Sequence, residues 1–206
     1  MKRYIIAAFA LFTTAIYAQD INRVNAQGQR EGTWIGYYPQ SNHIRFEGTF
    51  ENGKEVGIFK FYADEPNQKI VATKEFKSDG KVFTIFYNGK KKMSEGNYID
   101  KKKEGIWKTY HFDGVSIMAE EPYKNDHLHG IKKVYYPSGN LSEEIEYKNG
   151  IEDGISIQYA ENGVKIKETQ YKNGVLDGKI IIRNAEGEVI DQDEYVDGKL
   201  TQSRKP

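Results

Sequence analysis

The chain has 206 residues, with 30 Lys and Arg against 30 Asp and Glu, so a formal charge of zero leaves no chain-wide basic field for nucleic acid. It contains no cysteine, which excludes disulfides, thiolate metal sites and cysteine nucleophiles together. With 20 Gly and 5 Pro it falls well short of the roughly 25–30% that marks low-complexity disorder, and 13% aromatic residues are enough to build a core.

The first segment is an address. Met1-Lys2-Arg3 is a short basic start, residues 4–16 are almost wholly apolar, and Tyr17-Ala18-Gln19-Asp20 returns to small and polar residues. This pattern predicts a signal peptide over residues 1–18, cleaved after Ala18. The apolar run is shorter than the roughly 20 residues of a membrane-spanning helix, and without cysteine there is no lipid attachment after cleavage. The expected product is exported, periplasmic or secreted, with no transmembrane anchor. Residues 19–30 are expected as an N-terminal cap or linker and residues 201–206 as a C-terminal tail.

Residues 31–200 hold an internal repeat. A frame glycine recurs as Gly32, Gly57, Gly80, Gly105, Gly130, Gly154 and Gly178, at intervals of 23 to 25 residues. An aromatic closes each unit in the same beat: Phe50, Phe76, Tyr98, Tyr123, Tyr147, Tyr171 and Tyr195. A third row lies five residues after the glycine, as Tyr37, Tyr62, Ile85, Tyr110, Tyr135, Tyr159 and Arg183. Within a unit the period is that of strands, clearest where Leu141, Glu143, Ile145 and Tyr147 share one face. Asn52-Gly53, Asn88-Gly89, Asp113-Gly114, Asn149-Gly150, Asn162-Gly163 and Asn173-Gly174 supply positive-φ residues for hairpin turns, and no capping box opens a helical period. The fold class is therefore all-β: an elongated meander of about seven stacked antiparallel hairpins, about 14 strands in all.

The stretch Phe46-Glu47-Gly48-Thr49-Phe50-Glu51-Asn52-Gly53-Lys54-Glu55-Val56-Gly57 resembles the MORN repeat. Glu95-Gly96-Asn97-Tyr98 followed by Gly105-Ile106-Trp107 repeats the theme, and Tyr147-Lys148-Asn149-Gly150-Ile151-Glu152-Asp153-Gly154 is similar to the variant type found in bacterial proteins. The resemblance implies an extended sheet of hairpins in a scaffold or adaptor, sometimes close to membranes. It also brings an antitoxin label carried by some bacterial members. The third unit departs from the pattern, opening on Ser78-Asp79-Gly80 without the usual turn extension.

The candidate chemistry is sparse. His127-Leu128-His129 offers two alternating imidazoles to a metal, but His129 falls in a slot before the frame glycine that is usually Glu or Asp, which assigns it a turn role. A glutamate recurs three residues before the closing aromatic, as Glu47, Glu95, Glu120, Glu144 and Glu168, with Thr73 and Gln192 in the remaining units. Such a row is a repeat position rather than a catalytic dyad. No nucleophile elbow, phosphate loop or zinc helix motif is present, so no catalytic, metal or cofactor site is expected.

Charge is uneven along the neutral chain. Residues 69–108 hold eleven lysines against five acids, and residues 140–198 hold fourteen acids against six bases. Lys90, Lys91, Lys92, Lys101, Lys102 and Lys103, together with Tyr98 and Trp107, form the candidate ligand patch, suited to an anionic lipid or an envelope glycan. The competing reading is a solvated sheet with lysines blunting its turns and edges. The function expected is a non-enzymatic scaffold holding a protein partner, with an envelope glycan or lipid binder and an antitoxin or immunity protein as alternatives.

Overall fold

In the computed structural model, residues 21–204 are described, and the expected signal peptide lies outside them. These residues form seventeen strands: β1 (Arg23–Val24), β2 (Arg30–Tyr37), β3 (Ile44–Glu51), β4 (Lys54–Tyr62), β5 (Ile70–Phe76), β6 (Val82–Asn88), β7 (Lys91–Ile99), β8 (Lys102–Tyr110) and β9 (Ile117–Lys124). They continue as β10 (His127–Leu128), β11 (Gly130–Tyr135), β12 (Leu141–Lys148), β13 (Ile151–Tyr159), β14 (Lys165–Lys172), β15 (Val175–Arg183), β16 (Val189–Val196) and β17 (Lys199–Arg204). Each strand pairs antiparallel with the next in sequence, and β10 and β11 both pair with β9 as one strand interrupted at His129. The result is a single open meander, with no helix among the described residues. The strand count exceeds 14 because β1 and β17 extend the sheet at its ends and one strand is split. Residues 201–204, expected as tail, belong to β17.

The two edges of the meander carry different turns. On one edge Asn52-Gly53, Asp100-Lys101, Asn125-Asp126, Asn149-Gly150, Asn173-Gly174 and Asp197-Gly198 each have positive φ at both residues, the geometry that matches the strand twist in a two-residue hairpin. The other edge carries longer loops, and Asp113-Gly114 and Asn162-Gly163 lie there, with only the glycine at positive φ. The dipeptides look alike in sequence, but their place in the turn decides whether one or both residues turn left-handed, and at Asn88-Gly89, where β6 ends in a short turn, only the glycine does.

The frame glycines and closing aromatics face each other across one pair of strands. Gly32 pairs with Phe50, Gly57 with Phe76, Gly105 with Tyr123, Gly130 with Tyr147, Gly154 with Tyr171 and Gly178 with Tyr195. Gly57, Gly105 and Gly154 sit at breaks in register with the preceding strand, at φ of 66°, 73° and 129°, where a bulge demands a residue without a Cβ.

Gly80 is a correction to this series. It closes the loop between β5 and β6, donating its N–H to Lys77 O at 3.1 Å, while Val82 takes the place opposite Phe76 and Tyr98. The longer loop joins β5 to β6 without a register shift, so no left-handed glycine is needed in β6. The whole third unit is thereby displaced by two residues. Its member of the row five positions on is Tyr87, which opens the same break in register as Tyr62 and Tyr110, and Ile85 is not in that row.

One face of the sheet holds the core. Phe59 meets Phe50 and Phe76 edge-on at 5.2 and 5.1 Å, and Trp107 meets Tyr98 at 4.9 Å. Phe50, Phe59, Ala72, Thr84, Trp107 and Ala119 are buried on it. Gly48 and Gly96 make this packing available, because a Cβ on either would overlap the Phe59 or Trp107 ring. Toward the C-terminus the aromatic rings at the Trp107 position give way to Lys132, Ser156 and Ile180, with Lys132 held by Glu121 at 3.1 Å.

Candidate functional site

The opposite face is built from three rows that the strand period brings into line. The glutamate row and the tyrosine row join: Tyr110 donates to Glu95 at 2.6 Å, Tyr135 to Glu120 at 3.0 Å and Tyr159 to Glu144 at 2.8 Å. Tyr62 stands in the same relation to Glu47, and Arg183 replaces the tyrosine with an ion pair to Glu168 at 2.5 Å. Burial, then the glutamate alongside, pushes the Tyr135 and Tyr159 hydroxyls up to about 12. Hydrogen bonds from Lys60 and then Tyr62 hold Glu47 below the ordinary carboxylate range. Burial opposes the same effect at Glu95, but Lys92 at 2.8 Å and Tyr110 together outweigh it. The carboxylates are thus occupied as hydrogen-bond acceptors and ion-pair partners.

The third row was not foreseen from the sequence. The residue after each frame position is Ile58, Phe83, Ile106, Ile131 or Ile155 in five successive units, and the four isoleucines are 63, 52, 51 and 45% exposed. With Phe83 between Ile58 and Ile106, the row shares the face of the tyrosines by alternation and recurs on every second strand, roughly 10 Å apart. The sequence signal was present as Gly-Ile at the frame position. By itself an apolar residue beside a glycine in a strand does not tell an exposed face from a core face.

The lysines of the candidate patch are not brought together. Lys90 to Lys92 stand at the start of β7, and Lys101 to Lys103 in the turn and strand that follow its other end. Eight residue steps along β7 separate them by about 26 Å. Lys92 bonds Glu95 on the tyrosine face, whereas Lys103 lies over Trp107 and Tyr123, 4.5 Å from each ring, on the core face. Trp107 is 2% exposed and its indole N–H donates to Asn97 O, so its ring is part of the packing. The two runs were adjacent only in sequence, since a strand of nine residues carries its ends to opposite edges.

His129 takes the turn role assigned to its slot. Its Nδ1 accepts the Asn149 N–H at 3.4 Å, as Glu31 accepts from Asn52 at 2.9 Å and Glu104 from Asn125 at 3.0 Å. No group of three or more metal-ligating side chains occurs among the described residues.

This geometry is that of a repeat array with a broad, ridged surface. Residues 128–149 and 152–173, two adjacent units, match the family described as MORN repeat variant. Repeats of this kind are generally protein- or membrane-binding modules. No helix of the described residues is long and apolar enough to cross a membrane. No curated protein matches the chain. Among the solved structures that resemble part of it are TarM, at 19% identity over 49% of this chain with a TM-score of 0.34, and a point mutant of S. aureus TarM in complex with Fondaparinux, alpha-GlcNAc-glycerol and UDP, at 18% over 57% with a TM-score of 0.28. This chain spans 20% of each of those chains.

Proposed function

We propose that this chain is an exported, non-enzymatic scaffold that holds a protein partner along the ridged face of its sheet. The observation that carries the reading is the exposed row Ile58, Ile106, Ile131 and Ile155. Isolated exposed apolar residues are ordinary, but a row in register across a sheet, its members separated by Glu75, Pro122 and Glu146 on the intervening strands, offers regularly spaced apolar anchors to a partner. The charged rows beside it supply a polar rim, as protein interfaces require. The tyrosine hydroxyls and glutamates are already engaged with one another, which favours binding over catalysis as the use of this face. Export is supported by the basic, apolar and small-residue order of residues 1–18.

The test is crosslinking capture from the envelope fraction with the chain as its host processes it, beside an Ile106→Lys/Ile131→Lys variant and beside sedimentation with cell-wall glycan and anionic liposomes. The reading expects one stoichiometric protein, lost in the variant, and an N-terminus at Gln19. Equal capture by the variant, retention on glycan or liposomes without a protein partner, or an unprocessed chain in the cytoplasm would each overturn the part it addresses.

A further inference from the structure

The Glu–Tyr ladder is interrupted in the third unit, and a cavity lies at the interruption. Tyr87 holds the tyrosine position there, but Thr73 stands where Glu47, Glu95, Glu120, Glu144 and Glu168 stand in other units. Both Thr73 and Tyr87 line a cavity of about 560 Å³. Its remaining wall comes from the loop before β5, with Asn67, Gln68 and Lys69, from Ile70 at the start of β5, and from the short turn Gly89-Lys90. Elsewhere that edge of the sheet carries loops of five residues or more, so the short turn leaves the mouth open beneath the long loop at residues 63–69.

The chemistry of the wall is one-sided. The residues that line it include two lysines, two carboxamides and two hydroxyl side chains but no carboxylate, and most of the surface they turn to it is apolar. In the neighbouring units the tyrosine hydroxyl donates to a carboxylate that the chain itself provides. Here Thr73 offers Tyr87 none, and Lys69 and Lys90 are the charged residues that line the same cavity. The volume falls within the roughly 300–1,000 Å³ of small-molecule sites and exceeds what a bare oxyanion needs. Amides and hydroxyls around a tyrosine ring match the hydroxyls and the apolar face of a pyranose.

We propose that this cavity binds an acidic sugar, whose carboxylate or phosphate takes the hydrogen bond of Tyr87 and the charge of Lys69 and Lys90 in place of the glutamate the other units carry. The site is distinct from the isoleucine row and stands whether or not that row holds a protein.

The repeat supplies its own test, because Thr73→Glu restores the residue of the other units. Amide NMR titrations of the full chain with glucuronic acid, glucose 6-phosphate, inorganic phosphate and glucose would read it. At least one acidic sugar is expected to shift the amides around Thr73, Tyr87 and Lys90 and to bind about tenfold tighter than glucose or phosphate alone. Thr73→Glu should weaken that binding about tenfold or more while leaving the melting temperature no lower, and Thr73→Ser should retain it. Lys90→Ala, at an exposed turn that no packing depends on, should weaken it as well. Absence of shifts with both acidic sugars, binding of phosphate as tight as that of its sugar ester, or unchanged binding in both Thr73→Glu and Lys90→Ala would overturn the proposal.

Discussion

Tyr110 on β8 donates its hydroxyl hydrogen to Glu95 on β7 at 2.6 Å, and the two residues belong to successive repeats. In a one-layer sheet, where each unit touches only its neighbours, such bonds carry coupling that a globular core would otherwise provide. They recur at Tyr135 and Tyr159, so the face opposite the aromatic core is a second cohesive layer.

That layer can be measured one rung at a time. Tyr110→Phe removes the donor but keeps the ring, and denaturant unfolding is expected to find a loss of about 1 kcal/mol, the usual worth of a side-chain hydrogen bond. Tyr87→Phe is the internal control, because Thr73 offers no carboxylate there, and it should be neutral within about 0.5 kcal/mol. Equal losses at both positions would mean that the cost comes from removing a hydroxyl and not from its bond to a glutamate.

The same pairs set a pH window. Glu47 and Glu95 titrate below their ordinary range in the folded chain, so their contribution is present above about pH 4.5 and is lost as the pH falls through their folded values. Tyr135 and Tyr159 are raised, so their contribution is complete below pH 10 and is lost as the pH climbs from 10 toward about 12. Urea midpoints measured from pH 3 to pH 11.5 should be flat between about 5 and 9.5 and fall on both sides. A midpoint still rising above pH 10 would contradict the burial of these hydroxyls.

How far the sequence carried depended on whether a feature repeats. The hairpin meander and the turn role of His129 both followed from position within a unit, because the physical demand recurs from one unit to the next. What failed was tied to a single irregular unit or to distance across a strand. Counting from Gly80 placed Ile85 in the tyrosine row, when the longer loop had shifted the frame to Val82 and the row to Tyr87. Lys90 to Lys92 and Lys101 to Lys103 read as one patch because sequence proximity hides that β7 runs between opposite edges. The Glu–Tyr bond went unseen although both rows had been noted, since a separation of 15 residues becomes contact only once the bulge fixes the register.

Two classes of glycine should respond differently to a methyl group. Gly105 has φ of 73° and open space around a built Cβ, so Gly105→Ala costs only the left-handed conformation, about 1 kcal/mol. Gly96 has an ordinary backbone but lies under the Trp107 indole, so Gly96→Ala must displace the most buried ring of its half of the sheet. The expected cost is about 1–3 kcal/mol. Gly105→Asn should recover part of its loss, because asparagine tolerates that conformation, whereas Gly96→Asn should be worse than Ala. Near-ultraviolet circular dichroism would separate the two, since only the Gly96 variants disturb the tryptophan.

At the N-terminal end of the sheet the Asn22 carboxamide acts as a short piece of strand: its Oδ1 accepts the Ile35 N–H at 2.7 Å, and its Nδ2 donates to Ile35 O at 3.0 Å. Its own backbone N–H donates to Thr33 O at 2.9 Å, and Trp34 donates to Arg23 O at 3.0 Å, so the outer side of β2 is closed over most of its length. An uncovered strand edge is a template for pairing with another chain. Asn22→Ala leaves the Ile35 amide and carbonyl without these partners on that edge, and the expected outcome is concentration-dependent association in sedimentation velocity that the parent chain does not show. Asn22→Gln, one methylene too long to meet both groups at once, should behave like the alanine. If both variants sediment as the parent does over the same concentrations, the carboxamide is not what closes this edge, and the two-residue pairing of β1 with β2 is sufficient by itself.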